Sequence, residues 1–207
     1  MKKIVKQVLG IDVAQKELVV CLGCMYDDWS PSLHAHKTFA NTEKGFTALL
    51  LWLEKLKDPS IAVRFVMEAT GVYHERVAYF LESKDYEVSI VLPNKISNYF
   101  RTLDVKTITD RTASEAIALF GLERKLDNWK RPNPLFKKLR QLTRERDQLV
   151  LARTAAKNQL HAEQAEAEPN TSSVARMKKQ IVFFDKQEQE IKALAQQATN
   201  HQLSIIN

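Results

Sequence analysis

The sequence predicts an α/β fold: a mixed five-stranded sheet flanked by helices, followed by a long helical hairpin or coiled coil. Three observations point there. Apolar, β-branched runs of strand length come three in succession and then alternate with helical periods. After Pro132 and Pro134 the apolar spacing changes to a sustained 3-4 repeat. Only 5 glycines and 44% hydrophobic residues fit a packed core better than a glycine-rich all-β protein.

The first two runs are residues 4–13, IVKQVLGIDV, and 17–24, ELVVCLGC; the short break at Ala14 to Lys16 suits a hairpin. Residues 33–40, LHAHKTFA, alternate in polarity and suit a third strand. Asn41 or Thr42 then caps a helix with Phe46, Leu49, Leu50, Leu53 and Leu56 at helical spacing, ended by Pro59 and Ser60. IAVRFVMEA, 61–69, reads as a buried strand. Residues 72–84 read as a helix with Val72, Val77, Phe80 and Leu81 inward, and YEVSIVLP, 86–93, as the fifth strand. A short helix follows, then one that begins near Thr109 and runs through Ala116, Ile117, Leu119 and Phe120. The order β-β-β-α-β-α-β-α is that of the ribonuclease-H-like (RuvC-like) fold. The actin-like ATPase fold begins similarly, but no glycine-rich phosphate loop follows Asp12.

Beyond the prolines, Leu135, Leu139, Leu142, Leu149, Ala156 and Leu160 keep the 3-4 spacing, interrupted by Arg146 and Arg153. EPNTSS, 168–173, breaks it, and Val174, Met177, Ile181, Phe184, Ile191 and Ala198 resume it. The first of these helices reaches roughly 40 to 50 Å. We therefore expect a sheet domain over 1–130 and a basic helical region over 131–207. A lone helix of that length would expose its apolar stripe, so it should pair as a hairpin or in a dimer. No apolar run reaches the roughly 18 residues that span a membrane, and MKKIVKQVLGIDVAQ reads as a first strand, not a signal peptide. The lone CxxC of Cys21 and Cys24 lacks the further ligands of a zinc site. The expectation is a cytoplasmic protein with reduced thiols and no membrane association.

Charge is unevenly placed. Residues 1–100 balance 12 basic against 12 acidic side chains. Residues 124–157 carry 11 basic side chains against Asp127, Glu145 and Asp147, a local excess of +8 in a chain of net charge +6. That pattern implies a polyanionic partner. The candidate nucleic-acid contacts are Arg124, Lys125, Lys130, Arg131, Lys137, Lys138, Arg140 and Arg144. Aromatic residues are few there (Trp129, Phe136), which favours a duplex or structured backbone over stacked single strands.

Two carboxylates are out of place. Asp12 sits in VLGIDV and Glu68 ends the apolar strand in RFVMEATG. Burying either alone is costly, but two acids on neighbouring strands can share a cation. Oxygen-only ligands suit Mg²⁺ or Mn²⁺, and paired ions of this kind clamp the two oxygens of a phosphodiester displacement. His34 and His36 share a strand face but have no acid or cysteine expected beside them, so they read as polar surface. Tyr73 and His74 follow the Glu68 strand and either line the site or pack structurally.

GID at 10–12, MEATGVY at 67–73 and TDRTASEAIALFG at 109–121 resemble the DEDD-type transposases of the insertion-sequence-110 family, and pilin-gene invertases are similar. The likeness runs from residue 8 to about 198 and is densest over 68–101. In that family an Asp, a Glu and a D-x-x-D step hold divalent metal. The resemblance therefore implies metal-ligand and catalytic roles for Asp12, Glu68 and Asp110, with DNA and a structured guide RNA as partners. The fourth acid position is occupied by Ala113, although residues i and i+3 of a helix share a face. Glu115 lies about 140° round the helix from Asp110 and is not expected to substitute. Family members also continue into a domain that carries a nucleophilic serine. Ser204 has no fitting context for that role, and the chain is expected to be an amino-terminal portion, inactive by itself. Two other readings remain open: a Holliday-junction-type nuclease, and a non-catalytic nucleic-acid-binding module.

Overall fold

The structure, a computed structural model, describes residues 2–206 except Thr70, 104–106 and Ile108, with backbone alone for 201–206. The chain divides into two compact units, Met1–Arg131 and Pro132–Asn207.

In the first unit, β1 (Ile4–Val13), β2 (Glu17–Tyr26) and β3 (Pro31–Ala40) form an antiparallel meander. β4 (Val63–Glu68) and then β5 (Val88–Val91) add in parallel on the far side of β1. The order β3-β2-β1-β4-β5 is the ribonuclease-H-like arrangement. Helices α1 (Glu43–Glu54), α2 (His74–Glu82), α3 (Pro93–Phe100) and α4 (Asp110–Glu123) cover its faces.

The strand period of two divides the apolar residues between two cores. Leu9, Ile11 and Val13 join Phe65 and Met67 in a core closed by Phe46, Leu49, Val77 and Leu81 of α1 and α2. Val8 and Val66 point the other way, into a core with Ile96 and Tyr99 of α3 and Ile117 and Phe120 of α4. Residues 10, 12 and 68 therefore also face α3 and α4.

Two residues expected inward are outside. Leu56 lies beyond the end of α1 and is exposed, and Val72 precedes α2 and is exposed. Trp129 moves the other way: it is a structural anchor. Its ring stacks on Tyr79 at 5.4 Å and its backbone N–H donates to the Val88 carbonyl at 2.7 Å. Ser89 Oγ donates to the Asp127 carbonyl at 2.8 Å, and the Arg64 guanidinium donates to Asn128 Oδ1 at 2.6 Å. This segment covers the outer edge of β5, which would otherwise present unpaired backbone groups.

In the second unit, α5 (Pro134–Gln164) and α6 (Thr171–Ile206) fold back on one another as a helical hairpin. Leu142, Ala156 and Ile191 are buried in its seam. Arg146 and Arg153, the two interruptions of the apolar repeat, meet the buried Glu188. Arg153 Nη1 lies 2.5 Å from Glu188 Oε2 and 2.6 Å from Asp185 Oδ1, and Arg146 Nε lies 3.3 Å from Glu188 Oε1. Lys192 Nζ completes the set at 2.9 Å. Among the described residues no helix is long and apolar enough to cross a membrane.

Candidate active site

The register of the parallel pair puts two of the acids side by side. Gly10 pairs with Val66 and Ile11 with Met67. The next residues are Asp12 and Glu68, on strands roughly 4.8 Å apart. Glu68 in turn pairs with Val91 of β5. Both acids thus lie at the carboxyl ends of parallel strands, where α/β sheets place their ligand sites.

The third acid arrives on α4, whose seat is set by two glycines. A Cβ on Gly10 would lie 2.4 Å from both the Ala118 amide nitrogen and the Ser114 carbonyl oxygen. One on Gly121 would lie 2.7 Å from Val8 Cγ1 and 2.8 Å from Val66 Cγ2. The helix therefore lies flush on β1 and runs against it: Gly121 over Val8, Ser114 and Ala118 over Gly10, and the first turn with Asp110 toward Asp12. Lys6 closes the other end, its ammonium donating to the carbonyls of Gly121, Leu122 and Arg124 at 2.6, 2.9 and 3.0 Å. A cation suits those unpaired helix-end carbonyls. Thr109 caps the amino end in a capping box with Thr112.

The electrostatics register the convergence. Burial pushes the Asp12 carboxyl up to about 6, and the negative charges of Asp110 and then Glu68 add to that shift. Among the described residues no three His, Cys, Asp or Glu side chains stand close enough together to form a metal cage. The donor set nevertheless fits a hard divalent cation, because it is oxygen only and its mutual repulsion is what such a cation relieves.

Glu68 and Ala113 line one cleft of about 520 Å³ with Asn94, Ser97 and Phe100 of α3 and Arg101, which caps its carboxyl end. Ala113 therefore shares this cleft with Glu68, and it has no ligand atom; Asp12 and Asp110 do not line it. Glu115 is engaged elsewhere on α4: its Oε1 lies 2.8 Å from His36 Nε2 and 3.3 Å from Arg111 Nε. Burial, and then the Glu115 charge, push the Cys21 thiol up to about 12.

The histidines have closer neighbours than expected, since His36 meets this acid and His34 Nε2 lies 2.6 Å from Cys24 Sγ. The β2–β3 pairing brings His34 to Cys24 and the packing of α4 on the sheet brings Glu115 to His36, and the sequence carried no local sign of either. Both cysteines are free and buried. Tyr73 is largely exposed, and His74 opens α2, whose buried side packs on the opposite face of the sheet.

The basic residues sort by their partners. Arg131 is held within its own unit, 2.8 Å from Glu82 and stacked over the Tyr79 ring at 4.4 Å. Among the described residues, Arg124, Lys125, Lys130, Lys138, Arg140 and Arg144 make no ion pair. Residues 124–131 belong to the first unit and the remainder of the basic stretch to the second. Sequence reasoning did not single out Lys95 and Arg101, because their helix is short and its charge is diluted.

The model of the DEDD-type, insertion-sequence-110 transposases matches residues 9–164. The pilin gene-inverting proteins of Moraxella lacunata and Moraxella bovis are each 29% identical over 153 residues, which cover 72% of this chain and 46% of theirs. The chain thus spans about half the length of these relatives. Of solved structures, Thermus thermophilus RuvC in complex with a Holliday junction substrate aligns at 10% identity and a TM-score of 0.42, over 59% of this chain and 99% of that one. Fowlpox virus resolvase in complex with Holliday junction DNA aligns at 12% identity and a TM-score of 0.39, over 56% of this chain and 98% of that one.

Proposed function

This chain belongs to the DEDD transposase family of the insertion-sequence-110 type, and from that premise we propose that it is the amino-terminal portion of a DNA recombinase. It binds DNA and a structured guide RNA and supplies a divalent-metal carboxylate site for strand cleavage and exchange. What supports this reading is the register that ends β1 and β4 with Asp12 and Glu68 on neighbouring strands, together with the close seat of α4 on Gly10, which brings the first turn carrying Asp110 toward them.

In this reading Asp12, Glu68 and Asp110 would hold Mg²⁺ or Mn²⁺. When bound, the ion supplies charge neutralisation and Lewis acidity at the scissile phosphate. Asp12 would serve as a ligand in its ionised form, which the cation would stabilise against its neighbours' charge. Arg101, on the α3 wall of the same cleft, is positioned to neutralise a backbone phosphate. Ala113 leaves the set one carboxylate short, so the chain binds nucleic acid but does not cleave it. That same residue counts against an autonomous Holliday-junction-type nuclease and favours the non-catalytic binding module as the second reading. The hairpin leaves Leu151, Val182, Phe183 and Leu194 exposed, which supports a dimer; a compact monomer by sedimentation at micromolar concentration excludes it.

The test is binding to a four-way DNA junction and to an RNA hairpin between about 50 and 200 mM salt. Affinity should fall steeply with salt. Replacing Lys138, Arg140 and Arg144 by alanine should reduce the logarithmic slope by roughly 3, one per phosphate contact, while Arg131→Ala leaves it unchanged. A salt-independent affinity, or an equal loss from Arg131→Ala, removes the nucleic-acid assignment. Nicking of DNA in Mg²⁺ removes the claim of an incomplete site.

A further inference from the structure

α3 stands between two clefts. Asn94, Ser97 and Arg101 line the one that holds Glu68 and Ala113. Lys95, Asn98, Tyr99 and Thr102 line the other, of about 490 Å³, with Phe120, Arg124, Lys125 and Leu126. The second cleft takes no part in the metal site.

Its composition is specific. The floor is apolar, formed by Leu126 and by Tyr99 set edge-on to Phe120 at 5.3 Å. Three cations, Lys95, Arg124 and Lys125, surround it, and none makes an ion pair among the described residues. Arg64, Arg131, Arg146 and Arg153 of the same chain are all paired to acids. Burial, and then the neighbouring Glu123, push the Tyr99 hydroxyl above its ordinary titration range. The Thr102 hydroxyl is satisfied by the Tyr99 carbonyl at 2.6 Å. The Asn98 amide has no hydrogen bond among the described residues and is exposed at the rim.

An apolar floor, a free amide and unneutralised cations are the three things a nucleotide needs: a face for the base, a partner for its edge and charge for its phosphate. A duplex backbone alone would need only the cations. We propose that this cleft receives one unpaired nucleotide of the bound nucleic acid, its base toward Leu126 and its phosphate among Lys95, Arg124 and Lys125. This rests on the nucleic-acid reading above and deepens it. A helix is about 10 to 12 Å across, the length of roughly three nucleotides stacked at ~3.4 Å. The seated nucleotide therefore lies about three positions from the phosphate at the carboxylates.

The test compares a fully paired DNA duplex with the same duplex carrying a single unpaired 2-aminopurine, at fixed salt. The full chain should bind the bulged duplex on the order of tenfold more tightly, and 2-aminopurine emission should change on binding. Asn98→Trp, which fills the cleft from an exposed position, should abolish the preference and the emission change while leaving affinity for the paired duplex intact. Lys95→Ala with Lys125→Ala should lower affinity for the bulged duplex more than for the paired one. An unchanged melting temperature shows that these variants fold. Equal binding of the two duplexes by the parent chain, or a preference that survives Asn98→Trp, overturns the pocket and leaves the nucleic-acid reading standing. Binding of neither duplex overturns both.

Discussion

Replacing Asp12 by asparagine is expected to stabilise the sheet unit, although it removes a charged residue from the centre of the site. Burial and the two neighbouring carboxylates raise the Asp12 carboxyl from 3.8 to about 6. The fold therefore disfavours the ionised form. The sign follows from linkage: a carboxyl raised in the folded state carries no penalty below its unfolded value, and the full penalty above its folded one. A shift of about two units is worth roughly 3 kcal/mol, and partial solvent screening reduces this to about 1.5–3 kcal/mol. For a unit of this size, that is a rise in melting temperature of roughly 5–10 °C. Thermal unfolding of both proteins without metal at pH 7.5 should show the gain. The difference should shrink as pH falls through 6 and vanish near pH 4. Saturating Mg²⁺ should also narrow it, because the ion stabilises only the chain that retains the carboxylate. A variant that melts lower than its parent at pH 7.5, or a gain of equal size at pH 4, would show that the three acids do not repel one another as described.

Ala113→Asp should bind Mg²⁺ or Mn²⁺ more tightly by calorimetry while melting lower without metal; unchanged metal affinity would mean that Ala113 does not face the ion. Gly10→Ala should cost about 1–3 kcal/mol by overpacking against the α4 backbone, and should weaken metal binding in parallel because α4 carries Asp110. Metal affinity that survives this substitution would uncouple the seat from the site. Glu188→Gln should lower the melting temperature of the hairpin above pH 5 and have less effect in acid. The neighbouring Lys192, and then the Arg153 charge, hold the Glu188 carboxyl below its usual 4.5, so its stabilisation is present above that pH and lost as pH falls through the lower folded value. Circular dichroism melts across that range check it.

Much of the sheet was legible because its signals are local. The five runs of apolar and β-branched residues became five strands, and α4 begins beside Thr109 as expected. What the sequence withheld depends on partners distant in the chain. Arg146 and Arg153 looked like faults in an apolar seam because Glu188, which joins them, lies more than thirty residues later. Glu188 itself continues the 3-4 spacing from Phe184 to Ile191, so the partner was present in the pattern but hidden by its polarity. Arg131 reads as a nucleic-acid contact because it sits in a basic stretch; its partners, Glu82 and the Tyr79 ring, lie some fifty residues earlier and leave no sign near it. Val72 and Leu56 were overextensions of a helical period past the point where the backbone turns. Asp12 and Glu68 stand out in the sequence because a carboxylate in an apolar strand is anomalous on its face, whereas Asp110 was implied only by the family resemblance. That Ala113 shares a cleft with Glu68 depends on how α3 and α4 pack on the sheet, which no local spacing announces.

The seating of α4 makes β1 a ruler. Lys6 grips the end of the helix, Gly10 sets its distance, and Asp12 meets its first turn, all on alternate residues of one strand. A single inserted or deleted residue between Lys6 and Asp12 would do more than displace one ligand. It would turn Asp12 to the opposite side of the sheet and strand Asp110 without its counterpart. Homologous chains with an intact site should therefore tolerate length changes after Val13 while keeping the interval from Lys6 to Asp12 fixed. Engineered insertions, for reporters or for altered targeting, belong in the β1–β2 turn and never within the strand.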